Sequence, residues 1–260
     1  MTSFGAVFKA VNRLKFRQMN LLIVLELLAI VVTTIWTAIR GEYSNMTVFT
    51  TAMGWSTVPA FVGVILIAIR HEKVYTADSY RLIPVEETKF YTINLLSSLA
   101  NIVYLAVVQL GIYIISMLFG WQELTSMAKD MTTPAHIEAD WVLMGLSFLV
   151  LVLVLNMVFW STISFVHLVT SSASTFLPKF RQGVLNLIVY VIVVFLTLRV
   201  SGLIGSGINW ISQQMFNTSN MYNDFGRQIW VIIIAMVLVI LIEGAINVLC
   251  LKRWVETDAN

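Results

Sequence analysis

The stretch WVLMGLSFLVLVLVLNMVFWSTISF, Trp141 to Phe165, runs for 25 residues without a charged side chain. A helix of that length, at about 1.5 Å rise per residue, covers the ~30 Å hydrocarbon core of a bilayer. Its apolar and polar residues do not alternate, so it is no barrel strand, and an α-helix is then the structure that pairs every backbone amide inside lipid. The stretch reads as a transmembrane helix.

Extended to its limits this span is Trp141–His167, and five further segments share its character: Met19–Ile39, Thr50–Ile69, Tyr91–Phe119, Val184–Ile204 and Gln228–Leu251. The chain as a whole is 58% hydrophobic and 12% charged, against about 25% charged in an average soluble domain, and no soluble fold of this length hides so much apolar surface. The first span follows basic residues as a signal peptide would, but it is longer than a typical signal core and no A-x-A site follows it. With no linker or repeat between them, the spans predict one all-α, six-helix membrane domain over residues 1–260. The outer loops Gly120–Asp140 and Gly205–Arg227 are long enough to hold short helices of their own.

Positive loops resist translocation, so lysine and arginine mark the cytoplasmic side. Lys9, Arg13, Lys15 and Arg17 precede the first span; Arg70, Lys73, Arg81 and Lys89 separate the second from the third; Lys179 and Arg181 separate the fourth from the fifth; Lys252 and Arg253 follow the sixth. These twelve stand against three, Arg40, Lys129 and Arg227, in the alternate intervals, with Arg199 inside the fifth span. Both termini are therefore expected in the cytoplasm and the protein in the plasma membrane.

Several function classes are disfavoured. A net charge of +2 without a concentrated basic face argues against nucleic-acid binding. The single cysteine, Cys250, has no partner for an intramolecular disulfide, and no zinc-ligand spacing occurs. The P-loop pattern G-x-x-x-x-G-K-[ST] is missing, as are H-E-x-x-H and G-x-S-x-G, and His71, His136 and His167 fall in different loops or span ends. Glu86-Glu87 does not complete a Glu-Glu-x-x-x-Arg protease motif, because Tyr91 stands where the arginine is needed. The chain is expected to be no enzyme, with no catalytic residue, metal or cofactor of its own.

Three features remain as carriers of function. The N-terminal segment places Phe4, Val7, Phe8, Val11 and Leu14 at helical spacing with Lys9, Arg13 and Arg17 on another face, which predicts an amphipathic helix lying on the inner leaflet. It serves either as an interface helix or as a plain anchor for the first span. The second is Arg70 to Lys89, RHEKVYTADSYRLIPVEETK, which runs out of one span into the next. Glu72 to Ile83 predicts a short exposed helix that Pro84 ends, with Glu86 and Glu87 suited to the positive end of the helix that follows. Such a helix suits force transmission to a cytoplasmic partner, although a charged loop with one helix is also common. The third is the set of ionisable residues inside spans, Glu26, Arg199 and Glu243, which are costly in lipid and so turn toward protein or a water-filled path. Glu26 and Glu243 lie about 10–12 Å above the inner ends of their spans at ~1.5 Å per residue, a depth at which they can share one layer and oppose each other's ionisation. Arg199 lies about 22 Å up by the same reckoning and can snorkel outward.

The second cytoplasmic segment resembles the first cytoplasmic loop of ABC-2-type transporter permeases, the membrane-spanning subunits of bacterial ABC exporters. In that family the second span is followed by a basic-Glu-basic start, a hydrophobic-acidic helix ending in Leu-Pro-Val/Ile, and a charged patch before the third span. The matching residues are Arg70, Glu72 and Lys73, then Tyr80, Arg81, Leu82, Ile83, Pro84 and Val85, then Glu86, Glu87 and Lys89. Ile83 departs from the usual leucine, and Tyr75 and Asp78 stand where Gly-Thr or Glu is often found. The resemblance implies a coupling helix at Glu72–Ile83 that docks on a separate P-loop ATPase through Glu72, Lys73, Tyr75, Asp78, Tyr80, Arg81 and Leu82. It also implies an interface helix bearing Phe4, Phe8, Lys9, Arg13 and Arg17, and a dimer with itself or a homologous permease. ATP and magnesium would then be bound by the ATPase, while this chain contacts membrane lipid and moves an amphipathic peptide, antimicrobial or lipid outward. Two other readings stay open: a secondary transporter or channel working through Glu26 and Glu243, and a membrane sensor or immunity protein binding through its outer loops.

Overall fold

The computed structural model describes residues 3–76, 83–130, 139–174, 187–195, 199, 202–203, 205–207, 210 and 221–253. Among the described residues the regular structure is helical throughout, in the order α1 (Phe4–Ile39), α2 (Thr47–Thr76), α3 (Glu87–Phe119), α4 (Trp121–Asp130), α5 (Ala139–Ser174) and α6 (Met221–Arg253). Among the described residues five helices are long and apolar enough to cross a membrane: Phe4–Ile39, Thr47–Tyr75, Glu87–Phe119, Met144–Ser172 and Ile229–Arg253. The predicted fifth span, Val184–Ile204, is helical over 187–195 and otherwise lies largely outside the described residues.

The distribution of side chains is that of a protein whose solvent is lipid. Leu21, Val32, Phe61, Val107, Leu149 and Ile242 are exposed, whereas Asn94, Ser97, Ser98, Asn101, Ser161, Ser164 and Asn247 are buried. Lipid covers apolar side chains without penalty but cannot hydrogen-bond an amide or hydroxyl, so the polar groups turn inward to one another. The chain is a multi-pass membrane protein.

Each span outruns its apolar stretch. Hydropathy marks where lipid contact begins, while a helix ends only where its backbone ladder is broken, so polar turns extend α3 back to Glu87 and α6 back to Met221. α1 shows this most. The N-terminal segment predicted as a separate surface helix is the first half of one continuous helix of 36 residues, with no proline or glycine after Gly5 to interrupt it. Its buried face is a stripe at steps of three and four, Val7, Val11, Lys15, Met19, Ile23, Glu26 and Ile30, that passes unbroken from the N-terminal half into the span. Phe4 and Leu14, expected on the apolar face, are exposed. The helix ends at Gly41, whose φ of 75° lies in the left-handed region. There Glu42 N–H reaches Thr37 O at 3.1 Å and Gly41 N–H reaches Ala38 O at 3.1 Å, the two bonds of a glycine C-cap.

The Arg70–Lys89 segment also differs from expectation. Glu72 to Thr76 are the last turns of α2 rather than the start of a separate helix, and 77–82 lie outside the described residues. Pro84 sits in the irregular stretch ahead of α3, which begins at Glu87. α4 occupies the front of the predicted outer loop Gly120–Asp140.

The chain forms two compact units. One comprises Gly5–Arg70 and Leu96–His136; the other comprises Met1–Phe4, His71–Leu95 and Ile137–Asn260. The boundaries fall inside α2 and α3. Within the second unit α5 packs along α6.

Candidate functional site

The richest polar cluster lies in the unit containing His71–Leu95 and Ile137–Asn260, where the end of α2, the start of α3, α5 and α6 each contribute side chains. Helical spacing lines them up. His71 and Tyr75 are four apart on α2; Ser161, Ser164 and His167 are three apart on α5; Glu243 and Asn247 are four apart on α6.

Glu72 is held by α5. It accepts a hydrogen bond from Ser164 Oγ on one oxygen, and its other oxygen lies 2.8 Å from His167 Nδ1. A carboxylate only accepts, so with Glu72 ionised the imidazole donates from Nδ1. The backbone beside it is tied as well, since Asn94 Nδ2 on α3 donates to His71 O at 2.9 Å. Tyr75 is wholly buried, with its hydroxyl 3.1 Å from His71 Nε2, its ring stacked on Tyr91 at 6.0 Å and T-shaped against Phe90 at 6.2 Å. On its other side His71 stacks over Trp160 at 6.5 Å.

Tyr91 links this aromatic group to α6. Its hydroxyl lies 3.2 Å from Ser161 Oγ, and Asn247 Nδ2 donates both to that hydroxyl at 3.1 Å and to Ser161 O at 3.2 Å. Gly244 makes room for the ring, because a Cβ there would stand 3.3 Å from Tyr91 Cε1. One turn away Thr162 Oγ1 donates to Glu243 Oε1 at 2.9 Å. Where α3 begins, Lys252 Nζ stands 3.7 Å from Glu86 Oε1. The cluster is a set of donors, acceptors and rings largely matched to one another, and among the described residues no three of His, Cys, Asp and Glu come together to hold a metal.

The sequence-predicted residues divide accordingly. Lys73 is exposed, Glu72 faces α5, and Tyr75, expected on a docking surface, is enclosed by rings and cannot reach a partner from where it lies. Asp78, Tyr80, Arg81 and Leu82 lie outside the described residues. Phe4, Lys9, Arg13 and Arg17 are exposed along α1, with Phe8 half-buried. Arg199 stacks its guanidinium over Phe195 at 5.3 Å. Each intramembrane acid has a neutral partner, Thr162 for Glu243 and Gln109 for Glu26.

The other unit holds a polar stripe that the sequence reading passed over. Asn12 Oδ1 on α1 accepts from Ser97 Oγ at 3.1 Å and from Asn101 Nδ2 at 2.5 Å, Lys15 Nζ donates to Ser98 Oγ at 2.8 Å, and Tyr104 donates to Asn20 Oδ1 at 2.6 Å. The signal was present. Ser97, Ser98, Asn101, Tyr104 and Gln109 recur on a helical period inside an apolar span, and such residues in lipid turn toward a neighbouring helix. Compared with known proteins, the chain matches no family model, no curated protein and no solved structure.

Proposed function

We propose that this chain is the membrane-spanning subunit of an ATP-binding cassette exporter of the ABC-2 type, a six-span plasma-membrane protein with both termini in the cytoplasm. It works as a dimer with itself or a homologous permease, and ATP with magnesium is hydrolysed on a separate cytoplasmic subunit. The segment Glu72–Ile83 docks on that subunit through its exposed Lys73 and the residues beyond the buried Tyr75, assisted by the exposed basic face of α1, and the cargo is amphipathic.

One observation supports this reading beyond the resemblance of Arg70–Lys89: the segment is anchored at its base to a different helix. Glu72 is bonded to Ser164 and His167 on α5, and Asn94 holds the adjoining His71 carbonyl. A push on the segment therefore reaches α5 directly rather than being absorbed in a slack loop. Glu86 adds a contact to Lys252 on α6, which is weak because both side chains are exposed.

Extraction in mild detergent tests the proposal. A P-loop ATPase should copurify, and Arg81→Glu should leave ATP hydrolysis running while transport stops. Extraction that never brings down an ATPase defeats it.

A further inference from the structure

Glu26 on α1 and Gln109 on α3 belong to the unit of Gly5–Arg70 and Leu96–His136, and are 3% and 8% exposed. Both lie inside candidate spans, Phe4–Ile39 and Glu87–Phe119. Gln109 Nε2 donates to Glu26 Oε2 at 2.5 Å. The remaining oxygen of each side chain, Glu26 Oε1 and Gln109 Oε1, is buried and has no hydrogen-bond partner among the described residues.

The donor count decides the chemical state. An ionised carboxylate is acceptor-only and an amide oxygen is acceptor-only, so the ionised pair leaves two buried acceptors and lacks one donor. It also leaves a full charge in a lipid-surrounded span with a single neutral partner, which is costly. One proton removes both defects. Placed on Oε1 it makes an O–H donor, and Gln109 Oε1 is the open acceptor on the side chain already bonded to it.

We propose that Glu26 is a proton-binding site within the membrane, held as the uncharged acid that donates its O–H to Gln109 Oε1 while accepting from Gln109 Nε2. The acid and the amide then exchange two hydrogen bonds, and α1 is clamped to α3 by a neutral pair. This assignment does not depend on the exporter reading.

Infrared difference spectroscopy of the protein in lipid at neutral pH, wild type against Glu26→Gln, tests it. The expected result is loss of a carboxylic-acid C=O band that shifts on exchange into D2O. In Gln109→Leu the band should persist but move to higher frequency, because the acid has lost its amide partner. Thermal unfolding gives a second readout. Glu26→Gln supplies an N–H where the acid O–H is placed, so it should unfold near the wild-type temperature, while Glu26→Leu unfolds earlier. Loss of carboxylate bands instead, as a bound sodium or potassium ion in the proton's place would produce, overturns the proposal. So does a band indifferent to Gln109→Leu, or a Glu26→Gln protein that fails to fold.

Discussion

His167 Nδ1 stands 2.8 Å from Glu72 Oε2, joining α5 to the last turns of α2 across 95 positions of sequence. The His167 side chain is 44% exposed and that of Glu72 17%, so the pair is only partly enclosed by protein. A double-mutant cycle with Glu72→Gln and His167→Gln, followed by thermal unfolding in detergent, should give a coupling of about 0.5–1 kcal/mol. Strictly additive effects would mean that the two side chains do not act on each other.

Trp160 is 0% exposed, yet its indole N–H finds no acceptor among the described residues. Its contribution is therefore volume and stacking. Trp160→Ala should cost about 3 kcal/mol, the low end for emptying an aromatic site, because lipid weakens the hydrophobic share. Trp160→Phe should cost clearly less, and Asn247→Ala should fall between them at about 0.6–1.7 kcal/mol for interhelical hydrogen bonds in lipid. Unfolding measurements that rank Trp160→Phe beside Trp160→Ala would show that the indole N–H matters after all.

Gly244 lets the ring of Tyr91 lie close against α6. A methyl group there would press on Tyr91 Cε1 at 3.3 Å, a distance that a slight ring shift relieves. Gly244→Ala should thus be mild, whereas Gly244→Leu must displace the ring and break its contacts to Ser161 and Asn247, at about 1–3 kcal/mol. Loss of near-ultraviolet tyrosine dichroism together with a lowered unfolding temperature would report the displacement.

The proposed orientation is open to chemical labelling. In a Cys250→Ser background, Tyr43→Cys should react with a membrane-impermeant maleimide on intact cells, and Lys9→Cys only after permeabilisation. The opposite pattern would invert the topology and remove the cytoplasmic docking segment with it.

Five of the six predicted spans were legible because long uncharged apolar runs have few alternatives in lipid. What each polar residue faces was not. Glu72 lies in a charged stretch and reads as solvent-facing, but its direction is decided by Ser164 and His167, which the chain order places far away. Glu26 was recognisable as an acid in lipid, but its partner Gln109 carries no charge and so drew no notice. In the N-terminal half of α1 the helix and its two faces were legible, but not what the apolar face packs against. Moment arguments assign faces relative to a flat membrane surface, whereas Val7, Val11 and Lys15 are buried against protein.

The continuity of α1 has a mechanical consequence. Its 36 residues span about 54 Å at ~1.5 Å each, some 24 Å more than the ~30 Å hydrocarbon layer requires. A helix with an unbroken ladder does not fold flat at the interface, so that surplus acts as a lever arm fixed to the span and, through Asn12 and Lys15, to the α3 helix that would move with it. A lean of about 10° within the membrane would carry the far end of a ~24 Å arm sideways by about 4 Å. Lys9, Arg13 and Arg17 would sweep with it, so a hand placed on that arm would turn the span.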